Sequence, residues 1–306
     1  VTLLLDRSTL ESVLEPARCV AALRAGFVAP PPPVPAHRTV AKLPAPGGAT
    51  ALLPGLVDGI PAYTVKVNAK FPAARPALRG VVCLHDLASG ELLALLDSAT
   101  VTAWRTGLAA ALGTHVLARS GAVAVGVVGA GAQAELVVRG LAALRDVRSL
   151  AVCDLDADRA AAFAGRHGGA PVGSPREAAR DADVVVTATW SREPLLSAAD
   201  VAPGAHVTAL GADEPGKAEL APDLLSSARV VVDDVPLATA TGVLAGGAVA
   251  GPAVLGDVLR GPAPGRRSAG EVTVYAPVGL PWQDLALAWE AYGRAGEGVP
   301  AFDFLA

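Results

Sequence analysis

In this chain of 306 residues, a few side chains have the types and spacing that chemistry requires. The run Val125-Gly126-Val127-Val128-Gly129-Ala130-Gly131-Ala132-Gln133-Ala134 reads as a hydrophobic strand, a glycine turn and an alanine-rich helix. Gly129 lets the chain turn tightly off the strand, and Gly131 lets a pyrophosphate approach backbone N–H groups. The phosphates would sit at the positive end of the helix that opens at Ala132 and Gln133, and the small Ala134 would let that helix pack closely on the strand. The next apolar run, Ser149 to Asp154, ends in a carboxylate 23 residues beyond Gly131, the distance expected for a group that binds the adenosine ribose. Such a carboxylate accepts hydrogen bonds from ribose hydroxyls and repels a 2′-phosphate, so NAD is favoured over NADP. A plain strand-to-helix turn with accidental glycines is the competing account.

Charged residues lie on either side of this motif. Arg38 and Arg105 each offer a planar fork of donors suited to a carboxylate, with an ordinary surface salt bridge as the alternative for both. Arg105 is expected at the start of a helix, where the dipole does not favour a cation, so a ligand is expected to set its position. Lys66 is expected to end a mostly apolar strand, where its ammonium is costly without a partner unless it reaches solvent. Asp213 follows the run His206 to Leu210, at the carboxyl end of an expected parallel strand, where such folds place ligands; a turn or cap aspartate is the plainer reading. His37, His85, His115, His167 and His206 are scattered without the spacing of metal ligands, and no metal is expected.

The elements that must carry these residues follow from periodicity. A helical pattern after Leu10 is stopped by Pro30 to Pro33, and short strands with turn residues then occupy His37–Leu43, Ala49–Pro54, Tyr63–Val67, Gly80–Leu87 and Leu92–Asp97, predicting an antiparallel sheet. A helix is expected from Thr100 to about Ser120. Beyond it strands and helices alternate, at Leu150–Asp154, Ala157–Arg166, Ala182–Thr189, His206–Leu210, Val230–Asp233 and Val272–Ala276, the pattern of a parallel doubly wound sheet. A last helix over Trp282–Ala295 is placed to return to the first domain.

A net charge of −4 with dispersed signs argues against a nucleic-acid surface. Cys19, Cys83 and Cys153 form neither an even framework nor a metal spacing and read as reduced thiols. No apolar run approaches the roughly 20 residues of a membrane span, and the first residues lack the shape of a signal peptide. A soluble cytoplasmic protein is expected.

Several runs together resemble the ornithine cyclodeaminase and mu-crystallin family, which includes ketimine reductases and an archaeal type of alanine dehydrogenase. They are Tyr63 to Lys66 through Phe71-Pro72, Asp97 through Trp104-Arg105-Thr106, Gly129 to Ala134, Gly211 to Leu220, and Val278 to Leu285, in the family's order and over nearly the whole length. The resemblance implies an α/β protein in which a Rossmann domain with a doubly wound parallel sheet, residues 111–279, is inserted in a mixed α+β substrate and dimerisation domain, residues 1–110 plus 280–306. It implies a homodimer with the reaction in the cleft. Lys66 and Asp213 become the expected catalytic residues, Lys66 polarising or protonating an imine or carbonyl and Asp213 handling the proton of the amine. Lys70 is the nearby competitor of Lys66 and fits the pattern less well. Arg38, Lys66, Arg105 and Val278 would bind substrate; Arg105, Thr106, Gly129, Gly131, Ala132, Gln133, Asp154, Thr187, Gly211 and Lys217 would bind NAD. Two positions depart from the family: Ala74 stands where an asparagine is common, and Pro277 replaces a serine that meets the nicotinamide region in cyclodeaminases.

These implications define an NAD(P)-dependent oxidoreductase of amino acids or their imines, exchanging hydride at the α-carbon. The alternatives are an ornithine or lysine cyclodeaminase that recycles NAD within a turnover, and a non-catalytic protein of the mu-crystallin type that holds nucleotide and a small ligand.

Overall fold

A computed structural model describes residues 1–30, 39–44, 49–71, 74, 77–121, 123–304 and 306. Its elements run β1 (Thr2–Leu5), α1 (Arg7–Val13), α2 (Pro16–Val28), β2 (Thr39–Lys42), β3 (Ala49–Gly55), β4 (Ala62–Lys70), β5 (Leu78–Asp86), β6 (Leu92–Asp97) and α3 (Ser98–Leu117). The alternating part follows with β7 (Val123–Val128), α4 (Ala132–Leu144), β8 (Val147–Cys153), α5 (Ala157–Arg166), β9 (Ala170–Pro171), α6 (Pro175–Arg180), β10 (Val184–Thr187) and β11 (His206–Ala209). The chain ends through α7 (Pro222–Ser227), β12 (Arg229–Val232), α8 (Val235–Thr241), β13 (Ala253–Val254), α9 (Leu255–Arg260), β14 (Thr273–Tyr275), α10 (Pro281–Arg294) and β15 (Ala301–Phe302). It divides into two compact units, Val1–Thr106 with Leu280–Ala306, and Gly107–Gly279. The division falls inside α3, four residues before the boundary that the resemblance implies.

In the first unit a seven-stranded sheet runs in the order β15-β1-β6-β5-β4-β3-β2. The expected antiparallel meander is present in β2 to β6, but β1 joins β6 in parallel, so the sheet is mixed. The short β1 and β15 carry too few residues for a periodic signal, and only pairing across the chain reveals them. The single helix read after Leu10 is two: α1 begins at the N-cap Asp6, and Pro16 opens α2 at a position where its missing N–H matters least.

Strand alternation sends Leu53, Thr64, Lys66, Val82, Leu84 and Leu96 to one buried face. α10 lies against β3, β4 and β5, and its entry is fixed by close contact with backbone. A Cβ on Gly55 would stand 2.5 Å from the Pro281 carbonyl oxygen, and one on Gly26 would stand 2.3 Å from the Trp282 ring, so neither position accepts a side chain without displacing α10. Phe27 meets Trp282 edge-on at 4.9 Å, and burial of that indole contributes about 2–3 kcal/mol.

The second unit is an eight-stranded parallel sheet in the order β13-β12-β14-β11-β10-β7-β8-β9, in which the strand order reverses between β7 and its neighbour β10. Strands buried on both faces explain the continuous valine runs, such as Val184 to Val186 and Val230 to Val232. A polar thread crosses this core. The ring of His206 meets the Thr273 and Thr208 hydroxyls at 2.8 and 2.9 Å, and Thr208 meets Thr114 of α3 at 2.6 Å. Full burial depresses the pKa of His206 to about 3, so the folded unit holds it neutral.

Because the unfolded chain protonates His206 near its ordinary value of 6.5 and the folded chain does not until about 3, stability present above pH 6.5 is lost as pH falls through that window. The loss should be on the order of 4 kcal/mol by pH 3.5. Urea unfolding at pH 7.5 and pH 5 checks this: the drop expected for the wild type should be smaller in His206→Gln, although that variant is less stable at both.

Candidate active site

Lys66 is the fifth of nine residues in β4 and does not end the strand; pairing with Leu53 of β3 and Val82 of β5 keeps the ladder intact as far as Lys70. It is therefore held on the buried face, only 1% exposed, and cannot reach solvent as a strand-end lysine would. Its ammonium lies 2.6 Å from Oδ2 of Asp284 and 3.4 Å from the Thr102 hydroxyl. Arg105 is likewise not at a helix start. α3 begins at Ser98, where Asp97 accepts from the Thr100 N–H and hydroxyl, and this places Arg105 in the third turn. There its Nε lies 3.5 Å from Oδ1 of Asp284 and its Nη1 donates to Gln283 at 3.3 Å. Packing inside the first unit, rather than the helix dipole, fixes this arginine.

Asp284 and Gln283 were part of a motif in the sequence but had no assigned role, since nothing local says which face of a terminal helix meets a strand more than 200 residues away. Several polar atoms of this cluster make no hydrogen bond. Among the described residues, Thr64 Oγ1, Arg105 Nε, Thr106 Oγ1, Gln283 Nε2 and both Asp284 oxygens are buried without a hydrogen bond, the contacts of Asp284 being charge contacts outside hydrogen-bond geometry. Buried polar groups are ordinarily satisfied, and the open donors here, Arg105 Nε and Gln283 Nε2, suit a polar anion while the Asp284 oxygens do not. Arg38 lies outside the described residues. Lys70 ends β4 and is partly exposed, and Ala74 closes a turn onto the Phe71 carbonyl at 2.9 Å.

In the second unit, Gly129 turns off β7 with φ +95°, and a Cβ there would stand 2.6 Å from the Ala188 carbonyl oxygen. Gly131 is the N-cap of α4 with no side-chain cap, and the space beside it is open. The first-turn N–H groups at Ala132 and Gln133 thus face room for an anion, and Ala134 is fully buried against the strand. These features fit a dinucleotide pyrophosphate. Asp154, just past β8, accepts from Ala130 N at 2.7 Å, Asp156 N at 2.9 Å and Arg159 at 2.6 Å. Those hydrogen bonds hold its carboxyl below its ordinary pKa against partial burial. It is an anion that props the glycine turn as well as one available to a ribose.

Thr187 and Gly211 stand at the carboxyl ends of β10 and β11 and are both engaged with Glu219. Glu219 accepts from the Thr187 hydroxyl, the Thr189 hydroxyl and N–H, and the Gly211 N–H, each at 2.7 Å. Burial pushes its carboxyl above the ordinary range while these donors pull the other way. Gly211 is required there: a Cβ would lie 2.5 Å from the Glu219 side chain. Asp213 pairs with Lys217 at 2.7 Å, and the indole of Trp190 lies 4.9 Å from the Lys217 ammonium. Val278 is set by Asp233, which accepts from the Val278 and Gly279 N–H groups at 3.0 and 2.6 Å. Lys66 and Arg105 are thus gathered in the first unit with Thr106 beside them in sequence, and the remaining described site residues belong to the second.

A glycine-turn parallel sheet with a ribose-side carboxylate, joined to a second unit that buries a lysine and an arginine, defines a protein of the dinucleotide-binding α/β class. The ornithine cyclodeaminase/mu-crystallin family model matches residues 22–298, and the chain belongs to that family. It is 34% identical over 232 residues to alanine dehydrogenase of Archaeoglobus fulgidus, covering 72% of this chain and 71% of the relative. The solved structure of an archaeal alanine dehydrogenase dimer with bound NAD is similar at TM-score 0.85 and 28% identity, covering 96% of this chain and 95% of that one. Δ(1)-pyrroline-2-carboxylate reductase of Thermococcus litoralis, in complex with NADH and L-proline, is similar at TM-score 0.87 and 26% identity, covering 96% and 97%.

Removing the Glu219 carboxylate leaves the donors of Thr187, Thr189 and Gly211 buried and unpaired. Glu219→Ala should lose about 2–4 kcal/mol of stability in chemical denaturation. It should also weaken NADH binding, measured by fluorescence titration, more than Glu219→Gln does.

Proposed function

We propose that this chain is an NAD-dependent oxidoreductase that interconverts a small amino acid with its imine or keto acid, working as a homodimer in the cytoplasm. The observation that carries the reading is the buried pair of cations, Lys66 and Arg105, beside the open buried donors Arg105 Nε and Gln283 Nε2. A buried cation pair of this kind suits an α-carboxylate and an adjacent carbon–nitrogen double bond. A dinucleotide held at Gly129, Gly131 and Asp154 supplies or accepts the hydride. Arg105 grips the carboxylate, joined by Arg38 as a family expectation. Lys66 donates a proton to the imine nitrogen or polarises the carbonyl, and Asp213, steadied by Lys217, manages the proton on the amine. The alanine dehydrogenase and pyrroline-carboxylate reductase relatives support this reaction class. NAD rather than NADP follows from the negative charge of Asp154 and agrees with the NAD and NADH bound by the two similar structures.

The dimer reading is supported by the face of the seven-stranded sheet opposite Lys66. Leu52, Val67 and Val81 are cross-strand neighbours there, as are Val65, Cys83 and Leu95, and all are half-buried or exposed. An apolar sheet face of this extent is suited to burial against a second copy, and the similar archaeal alanine dehydrogenase is a dimer. The three cysteines are free thiols, in keeping with a reducing compartment.

Steady oxidation of NADH with pyruvate plus ammonia, or with a cyclic imine carboxylate, is the expected result. Ammonia release from ornithine or lysine with no net change at the nicotinamide band would replace it with the cyclodeaminase reading. NADH binding with neither activity would leave a binding protein. Lys66→Met should lower kcat/KM by about 10²–10⁴-fold with cofactor binding retained. In light scattering the wild type should have the mass of two chains and Val67→Glu the mass of one; a monomeric wild type overturns the dimer.

A further inference from the structure

The cations proposed to hold substrate share one anion. Asp284 is 1% exposed, 2.6 Å from Lys66 and 3.5 Å from Arg105, and it lies in the first turn of α10, where a negative charge also suits the helix end. Lys66 is flanked on β3 and β5 by Leu53 and Val82, α3 brings the Thr102 hydroxyl, and α10 brings Asp284, which also meets Arg105. An ammonium buried this deeply is driven toward the neutral amine unless a carboxylate stands beside it.

We propose that Asp284 is a positioning residue that keeps Lys66 protonated and aimed. Two buried cations without an anion would repel each other and release one proton. This proposal rests on the amino-acid or imine reading above for its kinetic consequence and on the structure alone for its stability consequence.

Asp284→Asn keeps the shape of the side chain and removes its charge. In the variant the basic limb of the kcat/KM profile for imine reduction should move down by about 1–3 pH units, because Lys66 loses its proton earlier. A merely structural carboxylate would lower activity without moving that limb, so an unmoved limb overturns the proposal. The second arm needs no turnover. The unfolded chain keeps Lys66 protonated up to its ordinary range near 10.4, whereas the folded variant binds that proton less tightly. Its melting temperature, taken relative to wild type, should therefore rise from pH 7 to pH 10, and the double variant Lys66→Met with Asp284→Asn should recover part of the lost melting temperature at pH 7. A flat difference in melting temperature with no recovery overturns the proposal. If the wild type turns over none of the amino acids, keto acids or imines while the melting data behave as expected, the activity reading fails and the charge-holding role of Asp284 stands.

Discussion

A lysine ammonium on the inner face of a sheet is the constraint around which the first unit is arranged. β4 alternation puts Lys66 there, and burial at that depth costs several kcal/mol unless an anion comes to meet it. The anion comes from the far end of the chain, on α10. To bring it within 2.6 Å, the entry of α10 must press against β3 at Gly55 and against α2 at Gly26, where any side chain would collide with it. The return of the chain to its first domain, the two glycines and the Trp282 anchor therefore answer one electrostatic demand.

The second unit solves a different problem. A parallel sheet collects the carboxyl ends of its strands at one edge, and that edge must be shaped by groups that do not themselves belong to the strands. Glu219 ties β10 to β11 through four donors, and Asp233 fixes the peptides of Val278 and Gly279 beyond β14. Asp154 does the same for the glycine turn through Ala130. Three carboxylates thus act as staples for loops. Their partners are mostly backbone N–H groups, which is why their replacement is expected to disturb loop geometry before it disturbs the sheet.

Much of this was legible from residue order. The valine runs, the Gly129 to Ala134 turn and the alternation after it announced a parallel sheet with a nucleotide turn, because these signals are local: each depends on residues within about 30 positions. Lys66 and Arg105 were legible as chemical candidates, but their settings were not. Lys66 was read at a strand end because Asn68 and Lys70 are polar, although partial burial and cross-strand pairing carry β4 past them. Arg105 was read near a helix start because the apolar pattern begins late, whereas Asp97 caps α3 several residues earlier.

What the sequence by itself determined is the kind of fold and the cofactor motif, since hydrophobic period, glycine spacing and a ribose-side carboxylate are written along a continuous stretch. The tertiary structure alone decided which charges meet. Lys66, Arg105 and Asp284 are distant in the chain, and the pairing energy of a buried charge depends on separation in space and on exclusion of water, neither of which residue order records. The same holds for Glu219, a residue unremarkable in its motif until Thr187, Thr189 and Gly211 are seen to close around it.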